Sequence, residues 1–377
     1  MVPNIEGLPE PESVELYHVR LPLQHPFQTS FGRESHRESI LVRLRTKEGD
    51  GWGEAPVGEY PRYTHESSET AWYILSEFLA PCLMEVKPKT LEDWHRNHPF
   101  IRGHSMARSA VIMAIMDLSA KQREQALGTF YGADRNEAYS GISIGLQDET
   151  DELLRRVDRS LDRGYGRIKI KIEPGRDVHL LGAIRNEFPD IDLMADGNGG
   201  YEEKDLNILQ QLDDYDLMML EQPFPPSAFR LHAQLQSQID TPICLDESIE
   251  TMDDAERASR EDSARVINIK QPRVAGPANA LRMYQYCVEE DLQVFCGGLL
   301  ETGIGRAHNV ALASLPAFEM PGDISESKRY FPEDVVEPEF ELTNRGTLQL
   351  PDEGAGISVS PKMDFIRKMS VRTTRFE

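Results

Sequence analysis

The sequence lacks the features that would place the chain in a membrane, in an oxidising compartment or around a thiolate-bound metal. None of its apolar runs approaches the about 18 residues that a membrane-spanning helix requires, so no membrane partner is expected. The first residues, MVPNIEGLPEPESVELY, show neither the basic start nor the apolar core of a secretory signal. The four cysteines form no CxxC pair and have no histidine at ligand spacing, which indicates reduced thiols in a cytoplasmic protein: Cys82, Cys244, Cys287 and Cys296.

Positive charge, and lysine above all, is scarce. The 377 residues include 41 Lys+Arg against 64 Asp+Glu, a formal net charge of −23. This balance argues against nucleic acid as a partner, because phosphate backbones attract basic surfaces. Only 11 of the basic residues are lysines and 30 are arginines, so a lysine at a defined structural position calls for a chemical reason. At ~100–200 residues per domain, the length predicts two domains or one large barrel with an addition.

The first 135 residues predict a small α+β domain. Residues 39–55 alternate apolar and polar side chains up to a glycine-rich turn, which is typical of a β-hairpin. Apolar residues between 107 and 118 recur at the spacing of one helix face.

From residue 138 onward, short apolar runs recur at a nearly constant interval. Each run ends in a charged residue and is followed by a polar stretch of helix length, which predicts consecutive strand–helix units. The intervals between the run ends are 25, 25, 25 and 24, and a further run, LQVFCGG, reaches Gly297 at nearly the same step. The charged ends are Lys171, Asp196, Glu221, Asp246 and Lys270.

These units predict a modified TIM-type (β/α) barrel over residues 136–330. SGISIG at 140–145 supplies an earlier strand, and residues 318–323 supply a last, irregular one. Right-handed connections make such strands parallel, and seven or eight units close into a barrel. The alternative is an open doubly wound sheet, which normally carries a GxGxxG turn after its first strand. No such turn occurs in this sequence.

Three of the strand ends are carboxylates that can converge on one metal ion. The carboxyl ends of parallel strands meet at one mouth of a barrel, where active sites lie, and this places Asp196, Glu221 and Asp246 together. Oxygen-only ligands favour a hard cation, with Mg²⁺ first and Mn²⁺ second. The alternative is that each acid merely caps the helix that follows it.

The lysines predict proton transfer at the same mouth. Lys169 and Lys171 are two apart on one strand and share a face, whereas Lys270 ends a strand four units further around the barrel. A neighbouring ammonium and a divalent cation would lower the pKa of a lysine toward neutrality, which arginine cannot match. The predicted chemistry is removal of a proton next to a carboxylate. A second lysine could return the proton, giving racemisation, or support elimination.

The sequence KIK at 169–171, followed by Asp196, Glu221, Asp246 and Lys270, resembles the ligand and base pattern of the enolase superfamily, in its muconate-lactonizing branch. The resemblance implies that the three acids bind the metal and that residues 1–135 cap the barrel. It further implies that a loop at 26–39 belongs to this capping domain and that a C-terminal segment, 331–377, returns to it.

Three further motifs look like a subgroup of o-succinylbenzoate synthases whose members often also racemise N-succinylamino acids. They are ICLDESI at 243–249, CGGLLETGIGRAHNVALASLP at 296–316 and PGDISESKRYF at 321–331. In that subgroup, Lys171 would take the α-proton of a cyclohexadiene carboxylate and then protonate the departing hydroxyl. Lys270 would stabilise the enediolate or act as a second base, and Lys169 would lower the pKa of Lys171 and contact the substrate carboxylate.

The same resemblance implies substrate contacts and leaves the activity open. Phe27 and Phe31 would close the site as a lid, with ordinary packing as the alternative. The other implied contacts are Asn198, Ser143, Gly298, Leu299, Ile304 and Tyr330. The expected partner is a small carboxylate substrate, and a symmetric homo-oligomer is expected. The leading hypothesis is the synthase of menaquinone biosynthesis, the closest rival is an N-succinylamino acid racemase, and a sugar-acid dehydratase or an inactive scaffold are the remaining alternatives.

Overall fold

The computed structural model describes all but a few positions of the chain. Residues 27–29, 32 and 33 are described as backbone only. The remaining positions outside the described residues are 1, 4, 30, 31, 98–100, 148 and 352.

Three antiparallel strands open the chain: β1 (Ser13–Thr29), β2 (Gly32–Thr46) and β3 (Gly49–Ala55). Their pairing places Val14 opposite Leu44 and Leu16 opposite Val42, so these apolar side chains share one buried face. The predicted hairpin at 39–55 lies in the paired strands β2 and β3.

Helices cover the buried face of this sheet. They are α1 (Ser68–Ile74), a π-helical turn (Leu75–Leu79), α2 (Ala80–Val86), α3 (Leu91–Asn97), α4 (Ser105–Gln122) and α5 (Leu127–Tyr131). Strand β3 lies against α4 so closely that a Cβ at Gly51 or Gly53 would overlap the helix backbone. The predicted helix at 107–118 falls inside α4. It is buried on every side and not on one face only, because the barrel packs on its other surface.

The barrel is built from seven consecutive strand–helix steps. Its strands follow a short strand β4 (Glu137–Tyr139), and they form one parallel sheet in chain order. The strands are β5 (Ile142–Ile144), β6 (Ile168–Lys171), β7 (Leu193–Asp196), β8 (Met219–Glu221), β9 (Ile243–Leu245), β10 (Val266–Ile269) and β11 (Gln293–Cys296). The helices that follow these strands are α6 (Thr150–Asp162), α7 (Asp177–Glu187), α8 (Leu206–Gln210) between two 3₁₀ turns, α9 (Phe229–Gln236), α10 (Met252–Arg260), α11 (Pro277–Glu289) and α12 (Gly303–Ala313). A short helix, α13 (Ser327–Tyr330), comes later in the chain.

An irregular segment closes the sheet into a barrel. The Asp323 amide donates to the Cys296 carbonyl over 2.9 Å, and the Gly141 amide donates to the Gly322 carbonyl over 2.8 Å. Residues 322–323 therefore lie between the two edge strands, β11 and β5, as the predicted last strand at 318–323 requires. A cluster of buried side chains from five strands fills the interior: Met194, Met219, Cys244, Val266 and Phe295.

After the barrel, the chain returns to the N-terminal sheet. The last elements are β12 (Val336–Glu337), β13 (Thr347–Gln349), β14 (Ser360–Pro361), α14 (Met363–Met369) and β15 (Ser370–Phe376). Strand β15 pairs antiparallel with β1, which gives the N-terminal sheet the order β15-β1-β2-β3. No helix in the described part of the chain is long and apolar enough to cross a membrane.

Candidate active site

A cavity of about 1000 Å³, counted to its open mouth, lies between the strand ends of the barrel and the N-terminal domain. The barrel wall is formed by Ser143, Lys169, Lys171, Asp196, Asn198, Asp246, Lys270, Gly298, Leu299, Leu300, Asp323 and Tyr330. The wall on the side of the N-terminal domain, here called the cap wall, is formed by Glu34, Arg37, Pro56, Gly58, Tyr60, Arg62, Tyr63, Thr64, Glu66 and Met106.

Strand register brings the charged ends of the barrel strands together. Lys171 is the direct partner of Asp196, and Asp196 is the direct partner of Glu221. Glu221 pairs with Cys244, so Asp246 projects from just beyond the next strand. Because every strand ends at the same mouth, a period of about 25 residues in the sequence becomes adjacency in space.

Lys169 lies at the bottom of the cavity among three carboxylates. Its Nζ donates to Glu221 Oε2 over 2.7 Å and to Asp323 Oδ2, and lies 3.3 Å from Asp196 Oδ2. Burial disfavours the ammonium of Lys169, but the Asp323, Glu221 and Asp196 carboxylates outweigh burial and raise its pKa. The carboxylates around Lys169 therefore favour its ammonium form.

Lys171 lies above Lys169 on the same strand and contacts the first predicted metal ligand. Its Nζ donates to Asp196 Oδ2 over 2.5 Å, while the Asn198 amide donates to Asp196 Oδ1 over 3.0 Å. Burial alone would raise the pKa of Asp196, but Lys171 and Lys169 hold it below its usual value. Asp196 therefore stays ionised and available as a ligand.

Lys270 lies across the barrel from Lys171 and is held by a second carboxylate. Its Nζ donates to Asp246 Oδ2 over 2.8 Å and to the Tyr63 hydroxyl over 2.9 Å. Arg273 donates to Asp246 Oδ1 and, over 2.9 Å, to the Tyr63 hydroxyl. Burial would lower the pKa of Lys270, but Tyr63 and the Glu221 and Glu247 carboxylates raise it. A side chain of the cap wall thus joins the network around this lysine.

The absence of a side chain at Gly297 leaves space for the side chain of Lys270. A Cβ on Gly297 would overlap the Lys270 side chain and the Asn268 amide. Asn268 in turn donates to Glu221 Oε1 over 2.7 Å. The position after strand β11 therefore requires glycine because the backbone passes directly beside the lysine stem.

The donor chemistry of the strand ends fits a hard divalent cation. Asp196, Glu221 and Asp246 are all buried carboxylates, whose oxygen atoms are the donors that such a cation prefers. Glu247 Oε2 is buried without a hydrogen-bond partner among the described residues. Burial and the nearby Asp196 raise the pKa of Glu247, and a cation would relieve both effects. Within the described ranges, no three His, Cys, Asp or Glu side chains are arranged to hold one ion. Each of the three carboxylates contacts a lysine instead.

The structure brings most of the predicted substrate contacts to the cavity. Asn198 lies beside Glu247 and donates to its Oε1 over 3.0 Å, and the Ser143 hydroxyl is buried without a partner in the described chain. Gly298, Leu299 and Tyr330 also line the cavity.

Two predicted contacts have a different outcome. Ile304 is fully buried in α12 and does not line the cavity, because its side chain belongs to the packing of that helix against the core. The side chain of Phe27 and all of Phe31 lie outside the described residues.

Sequence reasoning missed several residues of the cavity. Asp323 lies 26 residues after Gly297, so extending the same period by one step would have found it. Tyr63 and Glu66 belong to a segment without periodicity, and nothing in the sequence places them at the barrel mouth. Glu66 accepts from the Met106 and Ala107 amides over 2.7 and 3.0 Å and so caps helix α4.

Comparison with known families accounts for both parts of the chain. Residues 12–132 match the Mandelate racemase / muconate lactonizing enzyme N-terminal domain, and residues 152–365 match the Enolase C-terminal domain-like family. The chain belongs to the enolase superfamily. Both the predicted resemblance and the predicted barrel with an N-terminal capping domain are confirmed.

Among the relatives similar to this chain, two that share about 40% identity with it carry different names. An o-succinylbenzoate synthase of Listeria innocua is 42% identical over 354 residues, which cover 93% of this chain and 94% of that protein. An N-succinylamino acid racemase of Amycolatopsis sp is 40% identical over 349 residues, covering 92% and 94%. A crystal structure of an enolase-superfamily member from Listeria innocua has a TM-score of 0.92 and 40% identity, covering 97% of this chain and 99% of that one.

These relatives are enzymes, a lyase and racemases. Members of the enolase superfamily generally use a divalent metal ion.

Proposed function

We propose that this enolase-superfamily protein is an o-succinylbenzoate synthase that dehydrates 2-succinyl-6-hydroxy-2,4-cyclohexadiene-1-carboxylate in cytoplasmic menaquinone biosynthesis. The observation that carries the proposal is the placement of Lys171 and Lys270 on opposite sides of one cavity, each beside a buried carboxylate. Relatives that share about 40% identity over nearly the whole chain and bear this name support it. The reaction class is that of a carbon–oxygen lyase.

In this proposal, Asp196, Glu221 and Asp246 hold Mg²⁺, which Mn²⁺ can replace. Two observations support a metal ion at this position: the three carboxylates are buried, and one oxygen of Glu247 has no hydrogen-bond partner among the described residues. When bound, the metal supplies Lewis-acid stabilisation of the charge that builds up on the substrate carboxylate. Lys169, which contacts Glu221, would then be available to the same carboxylate.

The chain's own residues carry the proton transfers. Lys171 takes the α-proton, and the electron pair of the broken C–H bond moves to the neighbouring carboxylate. Lys270, on the opposite side, stabilises that negative charge with its ammonium group. Lys171 then returns its proton to the departing hydroxyl, so that the C–O bond breaks, water leaves and the ring becomes aromatic. A single base can perform both transfers because the proton and the hydroxyl are lost from neighbouring carbons.

A second activity, racemisation of N-succinylamino acids, is supported by the same two lysines. Lys171 would remove the α-proton from one face, and Lys270 would return a proton from the other. The relatives named N-succinylamino acid racemase, at 38–40% identity, favour it. Racemisation needs Lys270 as an acid, whereas dehydration needs only its charge.

The substrate contacts and the assembly complete the proposal. Asn198, Ser143, Gly298, Leu299 and Tyr330 would contact the small carboxylate substrate, with Ile304 supporting helix α12 from inside the core. Phe27 is proposed to help exclude water from the site. A homo-oligomer is proposed, with no nucleic-acid or membrane partner.

The experiment assays purified protein with Mg²⁺ on the cyclohexadiene substrate and on N-succinylamino acids, beside Lys171→Ala and Lys270→Ala. Lys171→Ala should lower kcat by about 10²–10⁴, the usual contribution of a general acid or base. Lys270→Ala should lower kcat for dehydration by about 10²–10³, the usual contribution of a group that stabilises developing negative charge. Lys204→Ala is the matched control, because the Lys204 side chain is 72% exposed and its ion pair with Glu202 lies on the surface. Efficient dehydration that both variants lose supports the synthase. Racemisation without dehydration would transfer the proposal to the racemase, and neither activity would refute both.

A further inference from the structure

A second cavity lies outside the barrel mouth and is lined by positive charge. It lies between helix α6, strand β5 and helix α13, and five cationic side chains border it. They are Arg156, Arg159, Arg163, Lys328 and Arg329. In a chain with a formal net charge of −23, a lining of five cations against two carboxylates, Glu152 and Glu326, is a local exception.

Helical spacing creates most of this grouping. Arg156, Arg159 and Arg163 follow one another at intervals of three and four residues, so they project from one face of α6 and its C-terminal turn. Arg155, on the same helix, carries the same charge but does not line the cavity. One face of α6 therefore lines the cavity, and Arg155 lies outside that lining.

The carboxylates nearby do not balance these cations. Glu152 accepts from Arg156 over 2.9 Å, from Arg159 over 3.2 Å and, at its other oxygen, from Arg155 over 3.1 Å. Glu326 accepts from Arg163 over 2.5 Å. Lys328 lies 3.4 Å from Glu341 at the exposed rim. Three carboxylates thus face five cations, and an excess of positive charge remains.

Arg329 has the least compensation of the five. It donates from Nη2 to the Ser143 carbonyl over 3.3 Å, but its Nε is buried and has no acceptor among the residues that the structure describes. Buried donors in native proteins almost always have a partner. An unpaired guanidinium donor at the edge of a cationic cavity is what an oxyanion ligand would satisfy.

We infer that this cavity binds a small dianion, a phosphate or dicarboxylate group, held by Arg156, Arg159 and Arg329. Guanidinium groups bind such oxyanions through paired hydrogen bonds. Tyr165, which also lines the cavity, adds a hydroxyl donor. Burial and the Glu326 carboxylate raise the pKa of Tyr165 to about 12, so it stays protonated at neutral pH.

The site is separate from the candidate active site but adjacent to it. Arg329 lines the cationic cavity, and the next residue, Tyr330, lines the active-site cavity. The inference does not depend on the proposed function, because none of its residues takes part in the proposed proton transfers.

Isothermal titration of the full chain tests the inference, with inorganic phosphate, pyrophosphate and succinate as probes at constant ionic strength and without divalent cations. We expect saturable binding of at least one probe, weakened at least tenfold by the double substitution Arg156→Gln/Arg159→Gln. Arg155→Gln is the matched control, and it should bind like the wild type. Binding of phosphate or pyrophosphate alone would identify a phosphate site, and binding of succinate alone a dicarboxylate site.

A footprint on the unmodified protein covers the case in which the double variant does not fold. Phosphate, pyrophosphate or succinate should protect Arg156 and Arg159 from phenylglyoxal, as mapped by mass spectrometry, and should leave Arg155 reactive. The inference is overturned if no probe binds or if the double variant, shown to be folded by circular dichroism, binds like the wild type. Equal loss in Arg155→Gln would also overturn it, because the effect would then be one of general charge.

Discussion

The two walls of the active-site cavity differ in how firmly they are held. On the barrel wall, Lys169, Asp196, Asp246 and Lys270 are at most 5% exposed, and each is fixed by strand register and by ion pairs. The cap wall is less uniform: Glu66 is 4% exposed and caps helix α4, whereas Tyr60 is 57% exposed. The difference predicts that substitutions on the barrel wall disturb the proposed proton transfers more than substitutions at the exposed part of the cap wall.

Tyr63 is the exception that joins the two walls. It comes from the cap wall, yet its hydroxyl lies 2.9 Å from Lys270 Nζ, Arg273 Nη1 and Asp246 Oδ1. Through this residue, the position of the capping domain can affect a lysine of the barrel. The comparison between the walls can therefore be tested from either side.

The largest effect is expected from crowding the rigid wall. Gly297→Ala should lower kcat by about 100-fold, because the new methyl group displaces Lys270, and a shift of about 1 Å in a catalytic group can cost that much. Steady-state kinetics measures it, with thermal unfolding to show that the variant is folded. Gly182→Ala in helix α7 is the control, since its Cβ would meet only ordinary contacts. An unchanged kcat in Gly297→Ala would show that the barrel wall is not rigid.

A smaller effect is expected from the residue that joins the walls. Tyr63→Phe should lower kcat by about tenfold, because a hydrogen bond to a charged group contributes about 1.5–3 kcal/mol. Tyr60→Phe makes the same chemical change on the exposed part of the cap wall and should leave kcat within about twofold. Equal losses in both variants would mean that the cap wall acts as a whole and that Tyr63 has no special role.

The smallest effect is expected at the contact between the N-terminal domain and the barrel. His308 Nε2 lies 3.0 Å from the Trp52 carbonyl of the capping sheet, and its Nδ1 lies 3.3 Å from the Tyr131 hydroxyl. Burial lowers the pKa of His308 to about 4. Between about pH 6.5 and 4, His308 therefore binds a proton in the unfolded chain but not in the folded chain. The free energy of unfolding falls as the pH falls.

His308→Gln should make this pH dependence shallower by about one proton, or about 1.4 kcal/mol per pH unit. Urea unfolding at several pH values measures it. His232, whose pKa burial also lowers to about 4, retains its share of the slope. His65→Gln is the control, because the His65 side chain is exposed. A slope unchanged in His308→Gln would mean that the imidazole is not the group that titrates.

The sequence predicts the barrel wall well because its information is local. A buried strand, its charged end and the following helix recur at a fixed interval, and parallel register converts that interval into proximity. The strand ends at Lys171, Asp196 and Glu221 are the observed ends of β6, β7 and β8, while Asp246 and Lys270 lie one residue beyond β9 and β10.

The rest of the site depends on contacts between distant parts of the chain. Tyr63 reaches Lys270 across 207 residues of sequence, and no local pattern encodes that meeting. The burial of α4 on all sides has the same origin, since both domains pack on it. Asp323, which completes the charge balance around Lys169, is a different case, because one further step of the barrel period leads to it.

The pairing of β15 with β1 has a consequence for the order of synthesis. Strand β15 leaves the ribosome after every barrel strand, yet its partner β1 is made before any of them. The β1 edge of the N-terminal sheet therefore stays unpaired while the whole barrel is translated. Unpaired edges invite association with other chains, so the nascent protein is most vulnerable to misassembly during this interval.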